Sequence, residues 1–175
     1  MTTPSHPSPA TAAYVDETLA LLGDRDPIAV MAETPLWLTE HLDPLQASVL
    51  DLPEAEGKWS ITQVLAHLAD TEIAFGWRAR LILTQDRAPL TGFDEGAWVT
   101  KFDYANADPA EAYEAFAMLR LWNLRVWKSA TAADLQRVGI HSERGEESFD
   151  RLRRMVAGHD LRHRRQIERI IRTVG

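Results

Sequence analysis

The sequence predicts an all-α protein, an antiparallel four-helix bundle with an extra N-terminal helix and a long loop between its second and third bundle helices. No window alternates apolar and polar residues long enough to demand a sheet, and apolar residues recur at the three- and four-residue spacing of a helix face. Helix start signals stand ahead of these stretches. With 175 residues, 45% of them hydrophobic, the chain has enough apolar material for one packed core, and its length is about that of one domain.

The opening "MTTPSHPSPA", with its three prolines, reads as a flexible tail over 1–10, leaving 11–175 as a single bundle domain. Helices are expected near 11–22, 27–42, 61–83, 109–129 and 146–173. Four places, Asp26-Pro27, Thr34-Pro35, Asp43-Pro44 and Asp108-Pro109, pair a capping residue with proline. Proline is tolerated at the first helical position because its missing N–H has no partner there anyway. On this reading the second helix restarts at Pro35. Glu111, three residues after Asp108, adds a capping-box variant, and "WSITQV" at 59–64 is stronger: Ser60 caps, Gln63 reaches back and Trp59 staples onto Val64. The loop "DRAPLTGFDEGAWVTKFDYANADP" is long for a compact domain, which points to a lid or pocket wall. A connector anchored by Phe93, Trp98 and Phe102 is the other reading.

A formal charge of -7 excludes a protein that lives by neutralising phosphates, so no nucleic acid is expected as partner. No run approaches the roughly 20 apolar residues of a membrane span, and the N-terminus lacks the pattern of a signal peptide, so the chain reads as cytoplasmic. With no cysteine, a metal would have to be held by nitrogen and oxygen.

The core-facing seam of the last helix runs Phe149, Leu152, Val156, His159, His163, Gln166, Ile170. It is apolar at its ends and polar in its middle. Leaving such groups buried without partners costs roughly 1–3 kcal/mol each. Histidines four apart stand about 40° from one another on a helix, so both rings can face one cation. His67, on the apolar face of the 61–83 helix, is a candidate third ligand. Three neutral imidazoles with open positions suit Zn²⁺, Ni²⁺ or Fe²⁺. The competing reading of each histidine is a core residue bonded to a carbonyl. His141 is a weaker fourth candidate that caps or packs locally, and His6 and His41 are incidental. "HDLRH" lacks the glutamate of a zinc-protease HExxH, and no Glu-x-x-His pair supports a ferritin-like di-metal site.

"GKWSITQVLAHLADTE" at 57–72, "LTGFDEGAW" at 90–98 and "RGEESFDRLRRMVAGHDLRHRRQI" at 144–167 resemble the DinB/YfiT-like superfamily. The resemblance implies a four-helix bundle, often a homodimer, with a divalent metal held by His67, His159 and His163. It implies a small-molecule substrate and, in some members, a low-molecular-weight thiol such as bacillithiol or mycothiol as cosubstrate of S-transfer. Many members are named metal-dependent hydrolases. Gln166 matches the family's glutamine after the HxxxH and, with Asp70 and Glu72, is a candidate to orient a ligand imidazole, although a solvated helix face is the favoured reading of the two acids. No catalytic base is evident. An open coordination position would make the protein an enzyme, and a closed site would make it a metal-stabilised stress-response or binding module; with three ligands visible, the enzyme leads.

Nine arginines crowd the last helix and its approach, at 144, 151, 153, 154, 162, 164, 165, 169 and 172. They serve either a cofactor's carboxylates or the acids of neighbouring helices, and their place on a flank of the helix favours the acids. Trp98, Trp122, Trp127 and Arg78 are further candidates for a pocket wall.

Overall fold

A computed structural model of the chain describes residues 7–174. Residues 1–6 of the expected tail, with His6, lie outside the described residues. Helix α1 (Pro9–Leu22) starts two residues earlier than expected, because the Ser8 hydroxyl accepts the Thr11 N–H and Pro9 opens the first turn. Helix α2 spans Pro27–Leu42 behind an Asp26 cap, α3 is the single turn Ala47–Leu50, and α4 covers Ile61–Thr84. A short α5 (Glu95–Lys101) precedes α6 (Pro109–Ser129) and α7 (Phe149–Val174). The capping box at Ser60 and Gln63 forms in both directions, and Asp108 accepts the N–H groups of Ala110 and Glu111.

Two capping signals fail. Asp43-Pro44 starts no helix; α3 begins later, behind Gln46. At Thr34-Pro35 α2 runs straight through, and the Thr34 hydroxyl donates back to the Val30 carbonyl. Proline at this point has no N–H for the carbonyl of Met31, four residues earlier, a loss that usually breaks a helix. The Arg120 Nη1 supplies the missing donor at 2.9 Å, from a different helix.

The four long helices α2, α4, α6 and α7 enclose the core, with α1 laid on α7. Met31 meets Arg120 and Thr39 meets Tyr113, so α2 and α6 run antiparallel. The meeting of His67 with His159 and the shared clusters at either end make α4 and α7 antiparallel too. The other two neighbouring pairs run parallel: Glu72 and Gly76 of α4 meet Arg120 and Asn123 of α6, and Thr34 and Trp37 of α2 meet Asp160 and Arg164 of α7. The long loop follows from this geometry. To start α6 parallel to α4 the chain must return the length of a 24-residue helix, about 36 Å. It does so along the outside of α4, with Thr91 at Arg78 and Tyr104 at Asp70.

A three-stranded sheet at one end of the bundle adds what the sequence pattern does not reveal. Strand β1 (Ala88–Leu90) pairs parallel with β2 (Val138–His141), which pairs antiparallel with β3 (Gly145–Ser148). Strands of three or four residues are too short for an alternation to register, and residues 146–148, expected in the last helix, belong to β3. The C-terminal ends of β1 and β2 point the same way and bring Gly92, Phe93, His141 and Arg144 to one place. A Cβ at Gly158 would stand 2.2 Å from the Thr18 carbonyl oxygen, so glycine there lets α1 lie against α7. No helix among the described residues is long and apolar enough to cross a membrane.

Candidate metal centre

The start signal at Ser60 sets the register of α4 and places His67 on its core face; α7 brings His159 and His163 opposite. The Nε2 of His159 lies 3.0 Å from that of His67 and 3.1 Å from that of His163. The three residues are only 3, 5 and 6% exposed. Nitrogens bound at about 2.0–2.1 Å to one cation stand about 3.3 Å apart in a tetrahedron and about 2.9 Å apart on an octahedral face. Both of these spacings, from His159 to His67 and to His163, fall in that interval. His163 Nδ1 is 2.9 Å from the Gln166 side-chain oxygen. An oxygen there takes the ring proton on Nδ1 and leaves Nε2 a lone pair, which is the tautomer a metal needs.

Burial, reinforced by the neighbouring imidazoles, holds His67 and His159 well below the usual histidine range, and burial pushes His163 down to about 4. All three are therefore neutral at neutral pH, as ligands must be. The residues present fit a divalent cation.

Asp70 and Glu72 touch none of these rings. Asp70 accepts the Tyr104 hydroxyl at 2.5 Å. Glu72, five residues past His67 and about 140° around the helix, accepts from Arg120 at 2.8 Å and from Asn123 at 3.1 Å. The carboxylate beside His67 is instead Glu95 of α5, whose Oε1 is 3.7 Å from His67 Nδ1. Asp94 caps that short helix and so aims Glu95, but nothing local in the sequence ties it to a histidine on α4. Trp59 is the second residue missed. Besides packing with the cluster that holds Val64, its ring lies 5.0 Å from that of His67 and stacks over His163 at 6.5 Å, closing one side of the site.

On the other side the histidines open on a cavity of about 380 Å³. His67 and His159 meet there with Phe75, Met155, Arg78 and His141, and α1 contributes Tyr14 to the wall. Of the other wall candidates, Trp127 is core, Trp122 is exposed, and Trp98 stacks on Phe93 in the adjoining groove. His41 bonds and stacks locally on Trp37. Several of the clustered arginines meet neighbouring segments, Arg162 with Glu17, Arg169 with Glu54 and Arg154 with the Gly23 carbonyl.

Acid sensitivity follows from the neutral, buried rings. The unfolded chain takes up protons near the ordinary histidine value of 6.5, whereas His163 resists until about 4 and His141 until about 3. Between those values the unfolded state binds more protons, so stability is present above 6.5 and is lost as pH falls. Each such group contributes about 1.4 kcal/mol per pH unit. The Tm of metal-free protein therefore drops steeply from pH 6.5 toward 4, and His163→Gln shallows the drop. A flat profile over that range refutes neutral burial.

The fold is a helical bundle in which one imidazole from one helix and an i, i+4 pair from its neighbour form a three-histidine group that could hold a metal ion. Residues 33–167 match the model of the DinB superfamily, and the chain belongs to it. It is 35% identical over 83 residues to YfiT of Bacillus subtilis, a candidate metal-dependent hydrolase, a match spanning 47% of each chain and so about half of that relative's length. It is 30% identical over 120 residues to a candidate metal-dependent hydrolase of Bacillus licheniformis, covering 69% of this chain and 68% of that one. Among solved structures, Bacillus subtilis YfiT, described as having an unusual four-helix bundle topology, superposes with a TM-score of 0.77 at 22% identity, over 98% of this chain and 92% of the other.

Proposed function

We propose that the protein is a metal-dependent enzyme. His67, His159 and His163 would hold a divalent zinc, nickel or iron ion, and a water or low-molecular-weight thiol beside them would lose its proton to solvent and attack a small electrophilic molecule, breaking that molecule's bond to its leaving group, which is hydrolysis with water and S-transfer with the thiol. When bound, the cation supplies Lewis acidity that makes such a water or thiol a better nucleophile at neutral pH. The chain's own residues do the rest. The imidazoles offer three Nε2 lone pairs, Gln166 orients the His163 ring, the Glu95 carboxylate lies 3.7 Å from His67 Nδ1, and Trp59 keeps water from the far side. Phe75 and Met155 wall the space where a small molecule would lie.

One observation carries this reading: two of the three converging histidines, His67 and His159, sit at the wall of a cavity, so a cation held by only three protein ligands would keep a position open to a small molecule there. A closed site would fit a purely structural metal. The test is turnover by protein loaded separately with each metal, using p-nitrophenyl acetate for hydrolysis and a chlorodinitrobenzene with a reduced thiol for S-transfer. Rates above those of His163→Ala are expected in at least one assay; none above it in either supports the non-catalytic module instead.

We also propose that the protein works in the cytosol as a homodimer. Ile73 and Trp77 of α4 and Met118, Leu121 and Trp122 of α6 are between 54 and 66% exposed, an apolar surface unusual for a monomer. Sedimentation at micromolar concentration should give a dimer for the natural sequence and a monomer for Trp77→Asp with Trp122→Asp. A monomeric natural protein refutes the pairing.

A further inference from the structure

Two polar groups in the wall of the cavity are left unused by a metal at the histidines. Arg78, from α4, is 4% exposed, yet no carboxylate among the described residues lies within ion-pair distance of it. Its Nη2 donates to the Thr91 carbonyl at 2.6 Å, and its guanidinium carbon stands 5.5 Å from the ring centroids of both Phe75 and Phe93. Its remaining N–H groups meet no acceptor among the described residues. A buried cation held this way lacks the compensation that the other buried arginine, Arg120, receives from two carboxylates.

His141, at the end of β2, is 1% exposed. Its Nδ1 accepts the Glu143 N–H at 3.1 Å, which places the proton of the neutral ring on Nε2, and that Nε2 has no acceptor among the described residues. Burial, with Arg144 and Arg78 nearby, holds the ring neutral by pushing it down to about 3. Sequence reading treats His141 as a residue that caps or packs locally; its Nδ1 does so, while its Nε2 remains an unspent donor.

Both side chains line the cavity that reaches His67 and His159. Of the other charges around it, Arg144 is paired with Glu147 at 2.8 Å, Glu95 lies beside His67, and Glu143, exposed in the cavity wall, acts on Arg78 through space without forming an ion pair. What remains is one guanidinium edge and one neutral N–H.

We propose that Arg78 and His141 form a carboxylate-binding subsite, so that the molecule admitted beside the histidines is a small organic acid whose carboxylate is held by the guanidinium and the imidazole N–H. One positive charge and one neutral donor match a single negative charge, and the planar fork of arginine suits a carboxylate. A phosphate dianion would find one unpaired cation in a neighbourhood that holds three glutamates. Phe75, Phe93 and Met155 supply the apolar surface for the rest of the molecule. That this acid reacts at the histidines rests on the proposed function; the subsite itself stands without a metal.

Calorimetric titration with benzoate and its neutral isostere benzamide, on metal-stripped and zinc-loaded protein, tests the subsite. Benzoate should bind the metal-stripped protein at least tenfold more tightly than benzamide. Arg78→Met and His141→Leu should each remove that preference, and His141→Gln, which keeps an N–H, should retain most of it. If Arg78 were only a strut for the loop at Thr91, Arg78→Met would lower Tm and leave benzoate binding intact, overturning the proposal. Benzoate binding that vanishes on stripping the metal, or phenyl phosphate binding more tightly than benzoate, overturns it as well. Should Arg78→Met fail to fold, Arg78→Lys, which keeps the charge and loses the fork, and the His141 pair decide. On zinc-loaded protein, 3-mercaptobenzoate binding more tightly than benzoate assigns the carboxylate to the thiol partner, and equal binding assigns it to the electrophile; both uphold the subsite. Failure to load zinc while benzoate still binds sinks the metal reading alone.

Discussion

His163→Ala should bind zinc far more weakly than the natural protein, by more than the roughly 10–100-fold that loss of an outer partner costs. His67→Ala and His159→Ala should behave alike, because the three Nε2 atoms stand 3.0 and 3.1 Å apart along one chain of contacts and each supplies one lone pair. Gln166→Leu removes only the hydrogen bond that fixes the His163 tautomer, so its loss should stay within that outer-partner range. His141→Ala is the control: the ring shares the cavity but is not in the three-histidine group, and zinc affinity should not change. Competition with a chromogenic chelator measures the natural protein and all five variants. Equal affinity in the natural protein and in His163→Ala returns the histidines to a core role.

The second large effect is on stability. Arg120, 1% exposed, reaches Asp160, Glu72 and the Met31 carbonyl, and Asn123 fills the remaining acceptor of Glu72. Burial disfavours its charge, and the two carboxylates outweigh that and keep it protonated. Arg120→Met leaves two buried carboxylates and one carbonyl without their cation. Removing one partner of a buried pair costs about 3–5 kcal/mol, which for a domain of this size lowers Tm by about 10 °C. Adding Glu72→Leu and Asp160→Leu should recover most of the loss, since a well-packed apolar replacement of a buried ion cluster is often neutral or better. Denaturant unfolding gives the values, and a cost below about 1 kcal/mol for Arg120→Met contradicts the cluster's role. Asp160 follows His159 directly, so the cluster also sets the rotation of α7; the single variant should weaken zinc binding even where the protein remains folded.

The five long helices and the paired histidines were legible in the residues because the interactions that define them are local. Ser60 with Gln63, Asp26 ahead of Pro27 and Asp108 ahead of Pro109 act within one turn, and His159 and His163 share a face through the helical repeat alone. Placing His67 with them needed only its position on the apolar face of its own helix. What local pattern misled about shows the opposite dependence. Pro35 looked like a restart because its missing donor is restored from Arg120, 89 residues from the carbonyl it serves. Asp70 and Glu72 looked like partners for His67 by proximity in sequence, but Tyr104 and Arg120 claim them across the fold.

Short-range hydrogen bonding and a three-to-four periodicity, carried by the residues alone, specify the helix starts, the seam of α7 and the imidazole pair, whereas the choice of neighbours depends on contacts between distant segments. The parallel placement of α4 and α6, the small sheet, Glu95 at His67, Trp59 across the rings, and the meeting of Arg78 with His141 each join segments separated by tens of residues. Such pairings depend on which buried charges and donors find partners once the helices pack, and no short window of sequence carries that information.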